Sequence, residues 1–297
     1  MSKQTQAYLY AGSAVLMWST VATAFKVSLR FLDVAQLVFY ATLVSVLVMF
    51  MIVLIQGKLH LLRTYTRTQY LRSAALGLLN PFIYYLALFK AYDLLPAQEV
   101  QPLNYTWPIV VTLMSIPVLK QRIGRLGILS VLVSFLGVFI ISTRGDVLGF
   151  RFSDPLGSTL ALGTAFMWAT YWLANLKDDR DEVTKLFLNF VFGLVFVTAF
   201  TVTTSDIFAV DLLGIGGAAY AGVFEMGLAF VLWLKGLSLS RTTAQVANLI
   251  YLTPFVSLLL INRIVGEEIF TSTIVGLMLI VAGLIISRFG SRVAEAT

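Results

Sequence analysis

Long uninterrupted stretches of apolar residues limit how this chain can fold more than any other feature of its sequence. They run for about 18–24 residues, and a helix rising 1.5 Å per residue needs about 20 to cross a bilayer core roughly 30 Å thick. They lack the alternation of apolar and polar residues that the shorter strands of an outer-membrane β-barrel show. Hydrophobic residues make up 59% of the chain and charged residues only 12%, which is too few to cover a water-soluble domain. The sequence therefore predicts an all-α membrane protein.

Ten of these stretches predict ten transmembrane helices. We place the spans at 7–25, 34–56, 71–91, 98–119, 126–143, 155–175, 184–204, 212–234, 242–262 and 270–288. Lys and Arg then predict the orientation, because cytoplasmic loops carry an excess of both. With the N-terminus in the cytoplasm, 15 of the 21 Lys and Arg residues lie on the cytoplasmic side and 6 on the other. Both termini are therefore predicted to be cytoplasmic, and this distribution explains the net charge of +6 without a nucleic-acid partner.

The residues that catalysis and metal binding require are scarce. The chain has no cysteine, and its one histidine, His60, lies in a basic loop. This excludes disulfides and thiolate catalysis, and no metal site or other cofactor is predicted. No nucleophile–base pair and no paired carboxylates stand at membrane depth, so an enzyme is not predicted. The segment 214–217 is rich in glycine but lacks the Lys-Ser/Thr of a phosphate-binding loop, so no nucleotide-binding site is predicted. Energy for moving a solute would then come from a gradient of the solute or of protons.

An internal repeat organises the chain. Met17-Trp18-Ser19-Thr20 recurs as Met167-Trp168-Ala169-Thr170. Further pairs recur at an offset of 145 or 146 residues: Asn80 with Glu225, Lys90 with Lys235, Tyr105 with Tyr251, Pro108 with Pro254, and Gly137 with Gly283. Each half holds five spans, an odd number, so the second half enters the membrane from the opposite side. The sequence predicts two inverted five-helix repeats, 1–146 and 147–297, which many secondary transporters use to alternate access around a midplane site.

The second half also carries a family pattern. Pro254 lies in the penultimate span, Gly266-Glu267 follows that span, and Gly276 and Gly283 precede Ile285-Ile286-Ser287 in the last one. In these features the chain resembles the drug/metabolite transporter superfamily, in its EamA-type branch of ten-helix transporters. The first half departs from the pattern, since Gln121-Arg122 stands where a second Gly-Glu pair would fall. The resemblance implies a location in the bacterial inner (plasma) membrane and a central cavity surrounded by the third, fourth, eighth and ninth spans.

Polar and aromatic side chains within the spans predict the substrate site, because polar groups at membrane depth usually face the protein interior or a wet cavity. The candidates for substrate binding are Trp18, Asn80, Tyr84, Gln98, Gln101, Tyr105, Trp168, Glu225, Gln245, Asn248 and Tyr251. The amides and phenols could instead bond neighbouring helices, and the two tryptophans could form tight helix contacts. For Glu225 three roles stay open: proton coupling, binding of a substrate amine, and packing in its protonated form. Glu99 and Asp93, closer to the outer boundary, are predicted to be solvated.

Proline and small residues predict the mechanics of the helices. Pro102, Pro108 and Pro254 lie inside predicted spans, where each would act as a hinge or as a fixed bend. Ser130 and Gly137 match Gly276 and Gly283, and residues this small let helices approach closely.

The function predicted from these features is secondary transport of a small organic solute. The aromatic residues of the third, fourth and sixth spans are similar to those of the bacterial exporters of aromatic amino acids, so export of neutral or aromatic amino acids is the leading hypothesis. Efflux of drugs or other metabolites is the alternative, followed by a passive channel or a membrane-embedded enzyme. The expected partners are the small-molecule substrate and the lipid bilayer, and the oligomeric state is left open.

Overall fold

A computed structural model describes residues 1–107, 109–110, 113–114, 125–149, 153–239 and 248–295. Throughout these residues the regular structure is helical. The α-helices are α1 (Lys3–Ser28), α2 (Val34–Ile55), α3 (Leu59–Leu62), α4 (Arg67–Gly77), α5 (Tyr84–Leu94), α6 (Ala97–Asn104), α7 (Arg125–Ser142), α8 (Pro155–Leu176), α9 (Glu182–Thr204), α10 (Leu212–Tyr220), α11 (Ala229–Leu239), α12 (Thr253–Leu260) and α13 (Thr271–Glu295). Wider π-helical turns occupy Leu78–Ile83, Ala221–Leu228 and Ile261–Val265, and a 3-10 helix occupies Asn248–Leu252.

Five helical stretches of the described residues are long and apolar enough to cross a membrane. They are Val34–Ile55, Arg67–Leu94, Arg125–Ser142, Glu182–Thr204 and Leu212–Trp233. Two shorter apolar helices follow, Thr253–Val265 and Thr271–Ile286. Each of the ten predicted spans overlaps helical backbone. The predicted class, a helical protein with several membrane-crossing helices, is confirmed, and the number ten stays a prediction.

Capping side chains fix where several helices begin. Asp33 precedes α2, its Oδ1 accepts the backbone N–H of Gln36 at 2.9 Å, and the Gln36 Oε1 accepts the Asp33 N–H at 3.0 Å. This reciprocal pair satisfies two N–H groups that the first helical turn leaves without partners. The Gln36 amide also donates to the carbonyl oxygens of Asp206 and Ala209, which ties the start of α2 to the loop after α9.

Contacts divide the chain into two compact units. The first unit comprises Met1–Phe89 and Ala174–Val265, and the second comprises Lys90–Leu173 and Gly266–Thr297. Each unit therefore draws on segments from both halves of the sequence.

Glycine permits the close helix packing of the first unit. A Cβ on Gly193 of α9 would collide with the Pro81 ring in the π-helical turn Leu78–Ile83. A Cβ on Gly222 would lie 2.5 Å from the carbonyl oxygen of Ala41 in α2. These contacts bring α9 directly against the π-helical turn Leu78–Ile83 and α2 directly against the turn Ala221–Leu228, where only a hydrogen in place of a side chain fits.

The second unit is built around the pair α7 and α13. A Cβ on Gly137 would lie 2.5 Å from the carbonyl oxygen of Gly276, and one on Gly276 would lie 2.6 Å from the carbonyl oxygen of Gly137. Gly283 packs in the same way against Ser130 and Ser134. The packing role predicted for these small residues is confirmed.

Candidate functional site

Glu225 and Tyr85 form a buried polar pair in the first unit. Glu225 lies in the π-helical turn Ala221–Leu228, near the middle of the apolar stretch Leu212–Trp233, and Tyr85 lies in the first turn of α5. The Tyr85 hydroxyl donates to the Glu225 Oε1 at 3.1 Å. Glu225 is 6% exposed and Tyr85 is fully buried, and Oε2 of Glu225 has no hydrogen-bond partner among the described residues. A carboxyl group at membrane depth is costly, so its single hydroxyl partner marks it as a functional candidate.

Aromatic rings extend from this pair. The Tyr84 and Tyr85 ring centroids are 4.7 Å apart, Tyr85 and Phe89 are 5.4 Å apart, and Phe89 and Phe25 are 4.6 Å apart. All four rings are buried, and Phe25 brings α1 to the same cluster. Tyr84 was a predicted site residue, and Tyr85 was not. The sequence offered one signal for Tyr85, which is a second tyrosine directly after Tyr84 within a predicted span.

A hydroxyl group on α2 contacts the same π-helical turn. Ser45 is fully buried and donates to the carbonyl oxygen of Met226 at 3.1 Å. Thr42, one turn earlier, is also fully buried, and its hydroxyl has no partner among the described residues. A π-helical turn leaves carbonyl groups outside the normal i+4 ladder, and the Ser45 contact satisfies one of them.

Asn80 interrupts the long helix Arg67–Leu94. Its backbone is extended, with φ −147° and ψ 117°, and its side chain is fully buried. Neither its amide nitrogen nor its amide oxygen finds a hydrogen-bond partner in the described part of the chain. A buried amide without partners costs free energy unless a ligand or water satisfies it, so Asn80 stays a candidate.

Trp18 lies on α1 against two rings of α11. Its ring centroid is 5.3 Å from that of Trp233 and 6.3 Å from that of Phe230, and the residue is 5% exposed. Its indole N–H has no partner among the residues described. Of the two roles predicted for Trp18, these contacts match a tight helix contact.

Gln98 of the second unit uses its whole amide in structural bonds. Its nitrogen donates to the carbonyl oxygen of Glu268 at 2.6 Å, and its oxygen accepts from the Phe270 N–H at 2.8 Å and the Thr273 hydroxyl at 3.2 Å. These bonds fasten the start of α6 to the start of α13. We therefore leave Gln98 out of the proposed substrate site.

Three other predicted residues of the second unit lie on α6 and α8 or beside them. Gln101 is 2% exposed, and its amide oxygen has no partner among the described residues. Tyr105, just after α6, is half-buried. Trp168 is 7% exposed and packs edge-on against Trp172, with ring centroids 5.9 Å apart. Each stays a candidate, and Gln101 has the clearer unmet hydrogen-bonding capacity.

The remaining predicted residues are described only in part. Pro102 is buried within α6, and Pro254 occupies the second position of α12, where its missing N–H breaks no helical hydrogen bond. Pro254 therefore lies at the junction of the 3-10 helix with α12 and not inside a continuous α-helix. Pro108 and Gln245 lie outside the described residues. Asn248 and Tyr251 lie in the 3-10 helix, and their side chains are outside the description.

An ion pair in the second unit, with a buried carboxylate and a partly exposed guanidinium, was not predicted. Glu99 is fully buried, its Oε1 accepts from the Arg144 Nε at 2.7 Å, and its Oε2 accepts from the Ser153 hydroxyl at 2.7 Å. The expectation that Glu99 is solvated is wrong, because Arg144 and Ser153 converge on it from the end of α7 and the following loop. Asp93 is exposed as expected and pairs with Lys90 at 2.6 Å.

Both residues of the Gly266-Glu267 pair have a structural role. Its carboxylate accepts the backbone N–H groups of Ala97 at 3.0 Å and Gln98 at 3.3 Å, at the first turn of α6. The residue before α6 is Pro96, which has no side-chain cap to offer, so Glu267 caps the helix from another segment. Gly266 supplies the φ of +80° that this turn needs.

A second ion pair fastens the connection between α8 and α9 in the first unit. Asp178 and Arg180 are both buried, and the Arg180 Nη2 donates to the Asp178 Oδ2 at 2.6 Å. Burial opposes ionisation of Asp178, but the hydrogen bonds and positive charge of Arg180, with Arg72 behind it, hold the pKa of Asp178 below its ordinary value. Lys185 donates to the carbonyl oxygens of Asn175 and Asp178. The loop is thus held by buried charged groups on both sides.

Comparisons with known proteins show which family and which relatives the chain is similar to. The model of the EamA-like transporter family matches the chain twice, over residues 5–143 and 155–289. A protein of Clostridium kluyveri named an uncharacterized transporter is 28% identical over 187 residues, which cover 60% of this chain but only 59% of that protein. A protein of Acidianus ambivalens, named an uncharacterized transporter in sor 3'region, is 30% identical over 217 residues, covering 70% of this chain and 81% of the relative.

A solved structure shares the fold. This crystal structure of a protein aligns with a TM-score of 0.68 over 97% of this chain and 99% of that one, at 20% sequence identity. At this identity the likeness concerns the fold alone.

Proposed function

The chain belongs to the EamA-like transporter family, and from this premise we propose that it is a secondary carrier that exports neutral or aromatic amino acids across the bacterial plasma membrane. Membrane transport follows from the family and from the helices long enough to cross a bilayer. The substrate, the direction and the membrane are the proposed part.

Alternating access between two inverted repeats, 1–146 and 147–297, is the proposed mechanism. Two observations support it: the family model matches the chain twice, and the sequence repeats itself at an offset of 145 or 146 residues. In such carriers one bundle rocks against another around a fixed midplane site, and no nucleotide is consumed.

The buried pair of Glu225 and Tyr85 is the observation that carries the proposal of a polar organic substrate. The pair joins two helical stretches long and apolar enough to cross a membrane, and the Tyr85 ring connects it to the rings of Tyr84, Phe89 and Phe25. Polar groups at this depth suit a polar head group, and aromatic rings suit an apolar side chain. Amino acids with aromatic or large neutral side chains combine both.

Efflux of lipophilic cations is a second candidate function. Aromatic rings beside a carboxyl group attract an organic cation as well as an amino acid. The two functions differ in one requirement, because an amino acid site must also accommodate the α-carboxylate. A passive channel and a membrane enzyme are the remaining alternatives, and neither is favoured by a particular contact.

Counterflow in proteoliposomes tests the proposal. Vesicles loaded with unlabelled phenylalanine should transiently accumulate labelled phenylalanine from outside, and protein-free vesicles should not. The same assay is repeated with other internal solutes in place of phenylalanine: leucine, tyrosine and the tetraphenylphosphonium cation. Comparing the accumulation that each one drives ranks the substrate classes. Uptake that no internal solute accelerates would indicate a channel. If no amino acid exchanges and the phosphonium cation does, the assignment changes to cation efflux.

The absence of cysteine makes the proposed orientation easy to test. Single cysteines introduced as His60→Cys and Phe208→Cys lie at exposed positions on opposite predicted sides of the membrane, in the short helix α3 and in the loop after α9. An impermeant maleimide should label Phe208→Cys in intact cells and His60→Cys only after permeabilisation. The reverse pattern would contradict cytoplasmic termini.

A further inference from the structure

We propose that Glu225 binds the ammonium group of the transported solute, so that the carrier selects solutes with a primary amine. This inference rests on the proposed transport function and names the group of the substrate that the site recognises. It concerns only groups of the first unit: the carboxyl group of Glu225, the hydroxyl of Tyr85 that orients it, and the rings that adjoin them.

Three other buried or partly buried carboxylates show what a structural carboxylate looks like in this chain. Glu99 pairs with the guanidinium of Arg144, Asp178 pairs with that of Arg180, and Glu267 accepts two backbone N–H groups. Each has either a cation or two amide donors. A carboxylate buried without such compensation is strongly unfavourable.

Glu225 departs from that pattern. No cation of the described residues pairs with it, a neutral hydroxyl is the one group that donates to it, and its Oε2 is buried without a partner. The missing element is a hydrogen-bond donor that carries positive charge. A primary ammonium group supplies both properties. The empty site lacks a positive charge to pair with the carboxyl group, and the bound solute would provide it, as expected of a recognition site.

The neighbouring rings favour an organic ammonium group over an inorganic cation. Tyr85, Phe89 and Phe25 form a continuous series of ring contacts that begins at the carboxyl group. Ring faces attract an ammonium group and bury its attached hydrocarbon, whereas Na⁺ and Mg²⁺ favour several oxygen ligands. The Tyr85 hydroxyl occupies one carboxyl oxygen, which leaves the other, Oε2, as the acceptor for the amine.

Three related probes test the inference with the full-length protein. Phenylalanine carries an ammonium and a carboxylate, phenethylamine keeps only the ammonium, and N-acetylphenylalanine keeps only the carboxylate. Phenylalanine and phenethylamine should exchange in the counterflow assay, and N-acetylphenylalanine should not. Glu225→Gln preserves shape and removes the charge, so it should weaken phenethylamine binding by about 10- to 100-fold.

Glu268→Gln is the matched control, because the same chemical change is made on an exposed side chain. It should leave the affinity for phenethylamine unchanged. If Glu225→Gln does not fold, the wild-type protein provides a second measurement. A hydrophobic carbodiimide is used to modify Glu225, and mass spectrometry quantifies the adduct. Phenethylamine should reduce the amount of adduct, and N-acetylphenylalanine should not.

The outcomes separate this inference from the proposed function. Exchange of N-acetylphenylalanine equal to that of phenylalanine, or phenethylamine binding that Glu225→Gln leaves unchanged, would overturn amine recognition and leave transport standing. Carbodiimide modification that phenethylamine does not reduce would overturn it as well. Failure of every amino acid and amine to exchange would overturn both.

Discussion

Replacing Arg144 by Gln should destabilise the protein more than replacing its partner, Glu99, by Gln. The Arg144 side chain is 45% exposed, whereas the Glu99 side chain is fully buried, and the Arg144 Nε lies 2.7 Å from the Glu99 Oε1. Loss of the guanidinium leaves a buried carboxylate with the Ser153 hydroxyl as its remaining donor. Loss of the carboxylate leaves a guanidinium that water already reaches.

The magnitudes follow from this difference in exposure. Removing one partner of a fully buried ion pair costs about 3–5 kcal/mol, and discounting for the exposed part of Arg144 gives about 2–3 kcal/mol for Arg144→Gln. Glu99→Gln loses one charge-assisted hydrogen bond and keeps an acceptor for Ser153, so about 0.5–1.5 kcal/mol is expected. Gln is chosen at position 144 because the φ of +50° there would be relieved by Gly or Asn, which would confound the comparison.

Equilibrium unfolding measures the difference. The protein in mixed micelles is titrated with sodium dodecyl sulfate, and circular dichroism follows the helix content of each variant. The double variant Arg144→Gln with Glu99→Gln should be more stable than Arg144→Gln alone, because it removes the unpaired buried charge. Equal destabilisation by the two single variants, or a double variant less stable than both, would refute the assignment of the cost to the Glu99 carboxylate.

Three further predictions use the same unfolding assay. Gly137→Ala should cost about 1–3 kcal/mol, since its Cβ would lie 2.5 Å from a backbone oxygen, whereas Gly163→Ala, with open space around it, should be neutral or stabilising. Glu267→Ala should cost about 1 kcal/mol by uncapping α6, and Glu267→Gln, which keeps an acceptor oxygen, should cost less. Because its pKa is lowered on folding, Asp178 stabilises the protein above its ordinary pKa of 3.8, and this contribution is lost as the pH falls further. Asp178→Asn should therefore be less stable than wild type at pH 7, with a smaller difference near pH 3.

The sequence predicts the helices of this chain better than it predicts their contacts. Apolar runs such as 34–56 and 184–204 define membrane-crossing helices because the length of a span follows from bilayer thickness. The first helix, Lys3–Ser28, is less apolar, and many of its buried residues are Ala, Ser and Thr. Its repeat in the second half adds a second sequence signal to the apolar stretch 7–25 that predicts this helix.

The contacts of polar side chains depend on folding and are harder to foresee. Gln98 and Glu99 are adjacent in sequence and resemble cavity or surface residues, yet both are committed to structural bonds. Their partners come from segments about 45 and 170 residues away, and no local spacing indicates them. Glu225, by contrast, was identified correctly as a buried polar residue, because a carboxyl group in an apolar span is unusual whatever surrounds it.

Two of the π-helical turns of the first unit connect this sequence signal to the site. Leu78–Ile83 and Ala221–Leu228 interrupt two membrane-length helices, and each contains a buried polar side chain, Asn80 or Glu225. These two residues are repeat mates at an offset of 145. An interruption leaves backbone groups without their helical partners, which a membrane protein tolerates only where the backbone is buried in protein or lines a cavity. The turn Ala221–Leu228 therefore holds Glu225 where the helical ladder is interrupted, within hydrogen-bond distance of Tyr85.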